Sequence, residues 1–333
     1  MDTNKERKLI YLLKAFAIFS VVCAHTAVEP ENCSFVVRLI VKLLSYTGTL
    51  GVPLFFIISG YLFAKNKHSF TVFWKIKSKT IILPWVFCET IVWLYVVLRK
   101  GGISLVAWLK FLLGINHSTY YLTILLILYF MFWWIKKSNV GVTVCILFSA
   151  VMLITGGWGN TIAMKLNQWT ITPYMNLLNW MIYFASGILL QKTEKIKDLF
   201  YLSKKVFLAS SLGLSFMMVI HFLYNIPWSY FSQYALINIV LQILVVVGVC
   251  VRLLEYKVEW LLKIGEYSFS IYLLHELGTG IIVRLSTYGG VVLIALRPII
   301  NIMFVFVGIA FMNLIFTRFR KFKNVFNMLI GMR

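Results

Sequence analysis

The chain is 333 residues long, 61% apolar and formally +21 in charge at pH 7, with a mean hydropathy of +0.87. Repeated apolar runs of about 20 residues exclude a soluble globular domain and indicate an all-α, polytopic integral membrane protein with room for about ten transmembrane helices. In a soluble protein this positive charge would suggest nucleic acid. In a membrane protein it belongs to cytoplasmic loops and to the lipid phosphates of the bilayer, so no nucleic-acid partner is expected.

Apolar periodicity places spans near 9–28, 47–64, 80–98, 118–135, 139–156, 174–191, 206–224, 231–251, 266–285 and 297–316, in a single membrane domain covering 1–333. Most of the 32 Lys and Arg residues then fall in the N-terminal tail, in alternate loops (65–79, 136–137, 192–205, 252–263) and in the C-terminal tail. Basic residues are retained on the cytoplasmic side, so both termini are expected to be cytoplasmic. Segments 35–46 and 103–114 are apolar with scattered Lys and Arg but too short to span, and read as interfacial or re-entrant helices on the outer side. The five cysteines (Cys23, Cys33, Cys88, Cys145 and Cys250) form no C-x-x-C pair, and neither a metal site nor a disulfide framework is expected.

The first span contains "LLKAFAIFSVVCAHT" (Leu12 to Thr26) and no small-residue cleavage site follows it, so it reads as a membrane helix rather than a removable signal. Lys14 and His25 have ten residues between them. At roughly 100° and 1.5 Å per residue, they project from one helix face about 16 Å apart along the axis. An ammonium in the inner half and an imidazole near the outer end suit an extended ligand that is anionic at one end and reactive at the other. The same spacing also allows Lys14 to snorkel to inner headgroups while His25 sits at the outer interface.

In the second span, "GTLGVPLFFIISGYLF" offers Ser59 and Gly60 for close helix approach and Pro53 to loosen the backbone. "FWKIKSKTIILPW" sets Lys75, Lys77 and Lys79 at the cytoplasmic start of the third span, as phosphate contacts or as ordinary positive-inside residues, and Glu89 follows within that span. His117, in "GINHSTYYL", lies at the depth expected for His25; His221 reads as structural. In "GEYSFSIYLLHE" of the ninth span, Ser268, Tyr272 and His275 share a face, whereas Glu276 points about 100° away and is expected to pair with another helix. A charge at a helix centre costs roughly 2.5–3.5 kcal/mol on insertion scales, so ionisable residues in spans default to a functional polar cavity.

Taken together, four stretches resemble the acyltransferase type 3 family: Lys14 with its spacing to His25, "GVPLFFIISGYLF", the basic run before "ILPW", and "IGEYSFSIYLLH", with "HSTYYL" a weaker fifth. The resemblance covers residues 9 to about 316. It implies a ten-helix enzyme of the bacterial inner membrane that moves an acyl group, usually acetyl, from cytoplasmic acyl-CoA to a hydroxyl of an extracytoplasmic acceptor such as a cell-surface polysaccharide or lipid-linked sugar. On this resemblance acetyl-CoA is the donor and no metal is required. Lys14 neutralises CoA phosphate with help from Lys75, Lys77 and Lys79, and the pantetheine arm runs up the bundle. His25 is the general base, with Glu89 and His275 as further catalytic candidates and His117, Ser59 and Tyr272 on the acceptor side. Lysines stand before Pro84 where the family commonly has arginines, which implies point-charge rather than bidentate phosphate contact. Direct transfer and an acyl-enzyme route both stay open at this point, as do two other classes: a flippase for a lipid-linked sugar or polymer, and a ligand-sensing membrane module.

Overall fold

A computed structural model of the chain describes residues 3–115, 119–155, 172–193, 203–226, 228–287, 289–315 and 320–332. Every regular element among them is helical. Six helical stretches are long and apolar enough to cross a membrane: Asn4–Thr26, Phe35–Ala64, Phe70–Leu98, Lys204–Leu223, Ala235–Leu253 and Gly290–Ile315. Two shorter apolar helices, Tyr120–Ile135 and Asn139–Ile154, lie within expected spans. The ninth expected span is also a helix, Ser268–Thr287, but it carries His275, Glu276 and Arg284 and is not among the six.

The chain divides into two compact units. The first comprises residues 1–17, 49–67 and 113–265. Here α3 (Gly51–Ala64) packs along α9 (Leu178–Lys192), which also packs on α8 (Asn139–Ile154), and α10 (Lys204–Leu223) packs on α11 (Ala235–Leu253). The α3–α9 contact is a backbone contact made possible by two glycines. A Cβ on Gly60 would lie 2.0 Å from the carbonyl oxygen of Phe184, and one on Gly187 would lie 2.0 Å from that of Ile57. Small residues therefore set the helix separation, as in other membrane helix pairs. Pro53 does not loosen this helix: it sits in the first turn of α3, where the backbone N–H that proline lacks would have no intrahelical acceptor. Phe63, Tyr129, Phe132 and Phe184 fill the adjoining core with ring centroids 5.3–5.7 Å apart in their contacting pairs. Glu6 accepts from the Tyr61 hydroxyl at 2.8 Å and pairs with Lys65.

The second unit comprises residues 18–48, 68–112 and 266–333. Its centre is α13 (Ser268–Thr287), packed along α14 (Gly290–Ile315) and against α5 (Leu83–Lys100); α2 (Phe35–Gly48) lies on α14 and α15 (Arg320–Leu329) on α5. The expected interfacial segment 35–46 is instead the first half of a 30-residue apolar stretch, Phe35–Ala64, broken only at Thr49 and Leu50. Thr49 and Leu50 stand between Gly48 and Gly51, and the two 14-residue helices they separate belong to different compact units. The 103–114 segment does form a short helix, α6 (Leu105–Leu112), of 8 residues, and Ile103, Leu105, Val106 and Leu109 are exposed. Trp108 anchors it by donating from Nε1 to Thr90 Oγ1 at 3.1 Å. Before α5, residues Ser78–Ile82 form one π-helical turn after α4 (Phe70–Lys77). Pro84 supplies no N–H to the carbonyl four residues earlier and its ring crowds that oxygen; the widened turn makes room.

Candidate functional site

The second unit brings His25, His275 and Glu276 together. One ligating atom from each lies within 4.8 Å of the others, and the two imidazole centroids are 4.9 Å apart at an interplanar angle of 55°. His25 sits in the last turn of α1 (Thr3–Thr26) and is half-buried, whereas His275 is buried on α13. His275 Nδ1 lies 2.7 Å from the carbonyl oxygen of Tyr272. A carbonyl can only accept, so Nδ1 carries the proton and Nε2 is the lone-pair nitrogen of the neutral ring. The same turn is braced from α14: Asn301 donates to Thr279 Oγ1 at 2.7 Å, and Thr279 donates to the His275 carbonyl at 2.9 Å.

Glu89, on α5, is buried, and its Oε2 has no hydrogen-bond partner among the described residues. Its carboxyl lies within electrostatic reach of Glu276. Two imidazoles and the Glu276 carboxyl therefore meet in a low-dielectric setting, where their interactions are screened far less than in water, with the buried Glu89 carboxyl outside that cluster. Beside them a cleft of about 420 Å³ is lined by His25, Val28, Thr279, Gly280, Val283, Arg284 and Thr287. An imidazole on the wall of a cleft, backed by a second imidazole of defined tautomer and by a carboxyl, is equipped to remove and relay a proton.

Arg297 holds this end of α1 in place. Its side chain is fully buried, and it donates to the carbonyls of Thr26 (3.2 Å) and Val28 (2.6 Å) and to Ser286 Oγ (2.6 Å), with a longer contact to Val283 O at 3.5 Å. The last carbonyls of a helix lack intrahelical partners, so one guanidinium caps α1 and ties it to α13. Ser20 adds a bond to the Thr47 carbonyl at 2.5 Å. Beyond the cap, the Arg38 guanidinium bonds Glu29 at 2.9 Å and holds its exposed carboxyl below the usual range.

Of the residues expected from sequence, His25, His275, Glu89 and Tyr272 belong to this unit, with the Tyr272 ring centroid 6.0 Å from that of His275. Lys75 and Lys79 are exposed on α4 and the π turn of the same unit, while half-buried Lys77 lies over the Phe73 ring at 5.3 Å. Lys14 and Ser59 belong to the first unit. Lys14 is half-buried, 5.9 Å from the Tyr11 ring centroid, and Ser59 Oγ lies 3.3 Å from the Tyr121 hydroxyl. His117 lies outside the described residues. His221 is structural, as expected: Nδ1 donates to the Ile226 carbonyl (3.2 Å), and Nε2 accepts from Asn238 (3.2 Å). The sequence marks Glu276, Arg284 and Arg297 as ionisable residues within or at the rim of spans but gives them no role beside His25, and it does not single out Thr279; the structure sets a ligating atom of Glu276 within 4.8 Å of those of His25 and His275. An "RP" pair inside a 26-residue apolar helix was the available signal for Arg297.

The acyltransferase-domain model of the acyltransferase type 3 family matches residues 9–317, nearly the whole chain. The chain belongs to the acyltransferase type 3 family. Neither a curated protein nor a solved structure matches it. As a membrane acyltransferase it must join an acyl donor to an acceptor, and the His25 cluster supplies proton-transfer groups of the kind that acyl transfer to a hydroxyl needs.

Proposed function

We propose that this acyltransferase is an O-acyltransferase of the bacterial inner membrane, moving an acetyl group from cytoplasmic acetyl-CoA to a hydroxyl of an extracytoplasmic acceptor, a cell-surface polysaccharide or a lipid-linked sugar. The observation that carries the reading is the convergence of His25, His275 and Glu276 beside an open cleft in a chain of this family. His25 removes the acceptor hydroxyl proton as the oxygen attacks the thioester carbonyl. The C–O bond forms, the C–S bond breaks, and the CoA thiolate leaves and takes up a proton. His275 and the carboxyls of Glu89 and Glu276 stabilise the imidazolium so formed. Lys14, with Lys75, Lys77 and Lys79, provides positive charge for the CoA phosphates. His117, Ser59 and Tyr272 are assigned to the acceptor side.

The test is free-thiol release from acetyl-CoA by purified protein in detergent, with a surface-glycan extract as acceptor. Release is expected to need the extract and to fall by about 10²–10⁴-fold in His25→Ala, the usual span for losing a general base. Normal turnover in that variant, checked for intact folding, removes the assignment of His25. Absence of acetyl-CoA binding by the folded wild type removes the donor.

A further inference from the structure

We propose that His25, His275 and Glu276 form a binding site for one divalent transition-metal ion, and that an ion bound there switches the enzyme off. The inhibitory half rests on His25 being the base, as in the function proposed above; the binding half does not. Two imidazoles and a carboxylate are a donor set that suits Zn²⁺ and its neighbours, whereas Mg²⁺ and Ca²⁺ prefer oxygen alone. The three donor atoms lie within 4.8 Å of one another. Zinc–nitrogen and zinc–oxygen bonds of about 2.0–2.2 Å in a tetrahedron put donors about 3.3 Å apart, so the site closes with side-chain movements of about 1–1.5 Å.

Three further observations favour an ion here. The Nδ1–H of His275 is bound to the Tyr272 carbonyl, an orientation that metal-ligating histidines commonly use to present Nε2 to the ion. A second carboxyl, Glu89, lies within electrostatic reach of Glu276 and has a buried oxygen with no hydrogen-bond partner among the described residues. His25 also lines the cleft, which provides access. Coordination would occupy the imidazole lone pair that takes the acceptor proton, and activity would stop until the ion left.

The experiment uses the full chain without a histidine tag, in detergent, titrated with Zn²⁺ by calorimetry and with Co²⁺ by its visible d–d absorption. One ion per chain is expected. His275→Gln and Glu276→Gln should each weaken binding by more than the roughly 10–100-fold typical of losing an outer-shell partner, with Glu89→Gln weakening it less. Elution profile and melting temperature identify any variant that misfolds, and the remaining variants then decide. Zn²⁺, but not Mg²⁺, should block thiol release from acetyl-CoA, and EDTA should restore it. No binding by the wild type, or affinity unchanged in the folded variants, overturns the site. Turnover that persists at saturating Zn²⁺ overturns the switch. Zn²⁺ binding that depends on His275 and Glu276 in a folded protein that never consumes acetyl-CoA supports the site and removes the donor reading instead.

Discussion

Arg297 shows how much one side chain contributes to the site. It meets three acceptors within 3.2 Å from two chain segments, and no neutral residue has the same fork of donors. Arg297→Met removes these bonds while Thr26 O keeps the Val28 N–H and the Ser286 hydroxyl keeps its bond to the Val283 carbonyl; at about 1.5–3 kcal/mol for a hydrogen bond to a charged group, a loss of about 2–4 kcal/mol is expected. The readout is the thermal unfolding midpoint in detergent, and a midpoint equal to wild type would show that water replaces the guanidinium. Lys14→Ala, by contrast, removes a half-buried charge from a helix surface; it is expected to weaken acetyl-CoA binding far more than it lowers the melting temperature. Unchanged CoA affinity in that variant would end the phosphate role of Lys14. His25 and Lys14 were legible in the sequence because a charged or titratable group inside an apolar helix is costly and stands out. Arg297 stands out for the same reason, yet its acceptors are backbone carbonyls of Thr26 and Val28, whose placement no sequence pattern records.

Among elements, the α3–α9 pair is the most demanding contact. The Gly60 and Gly187 positions meet opposing carbonyl oxygens at distances no Cβ tolerates, so the backbones must separate if either becomes alanine. Overpacking of this kind costs typically 1–3 kcal/mol, and Gly60→Ala and Gly187→Ala should each lower the melting temperature, while Gly280→Ala, at a position with open space, should not. Equal midpoints for all three variants would count against the close approach. The "SG" of the second span announced a small-residue contact; its partner at Gly187, 127 residues later, did not show. The break between α2 and α3 was legible to within a few residues, because scattered Lys and Arg set 35–46 apart from the span at 47–64, and the helices part at Thr49 and Leu50.

At the scale of the whole molecule, the bias of Lys and Arg towards alternate loops predicts both termini in the cytoplasm and the loop after α1 on the outer side. Cys33 tests this: it is half-buried in that loop, whereas Cys23, Cys88 and Cys250 are buried. An impermeant maleimide applied to intact cells should label Cys33 and lose its signal in Cys33→Ser; protection of Cys33 in intact cells with labelling after lysis would reverse the topology. Desolvation and the Glu29 carboxylate hold this thiol above its ordinary range. Less thiolate is therefore present at neutral pH, labelling should accelerate as pH rises, and Glu29→Gln should accelerate it at fixed pH. Hydropathy and charge alone determined that the chain is helical and membrane-embedded, and its motifs carried the family, because these depend on composition, local periodicity and spacing along the chain. Which groups meet was decided by tertiary structure. The approach of His275 and Glu276 to His25, and the capping of α1 by Arg297, join residues some 250 to 270 positions apart through helix packing, which local sequence does not encode.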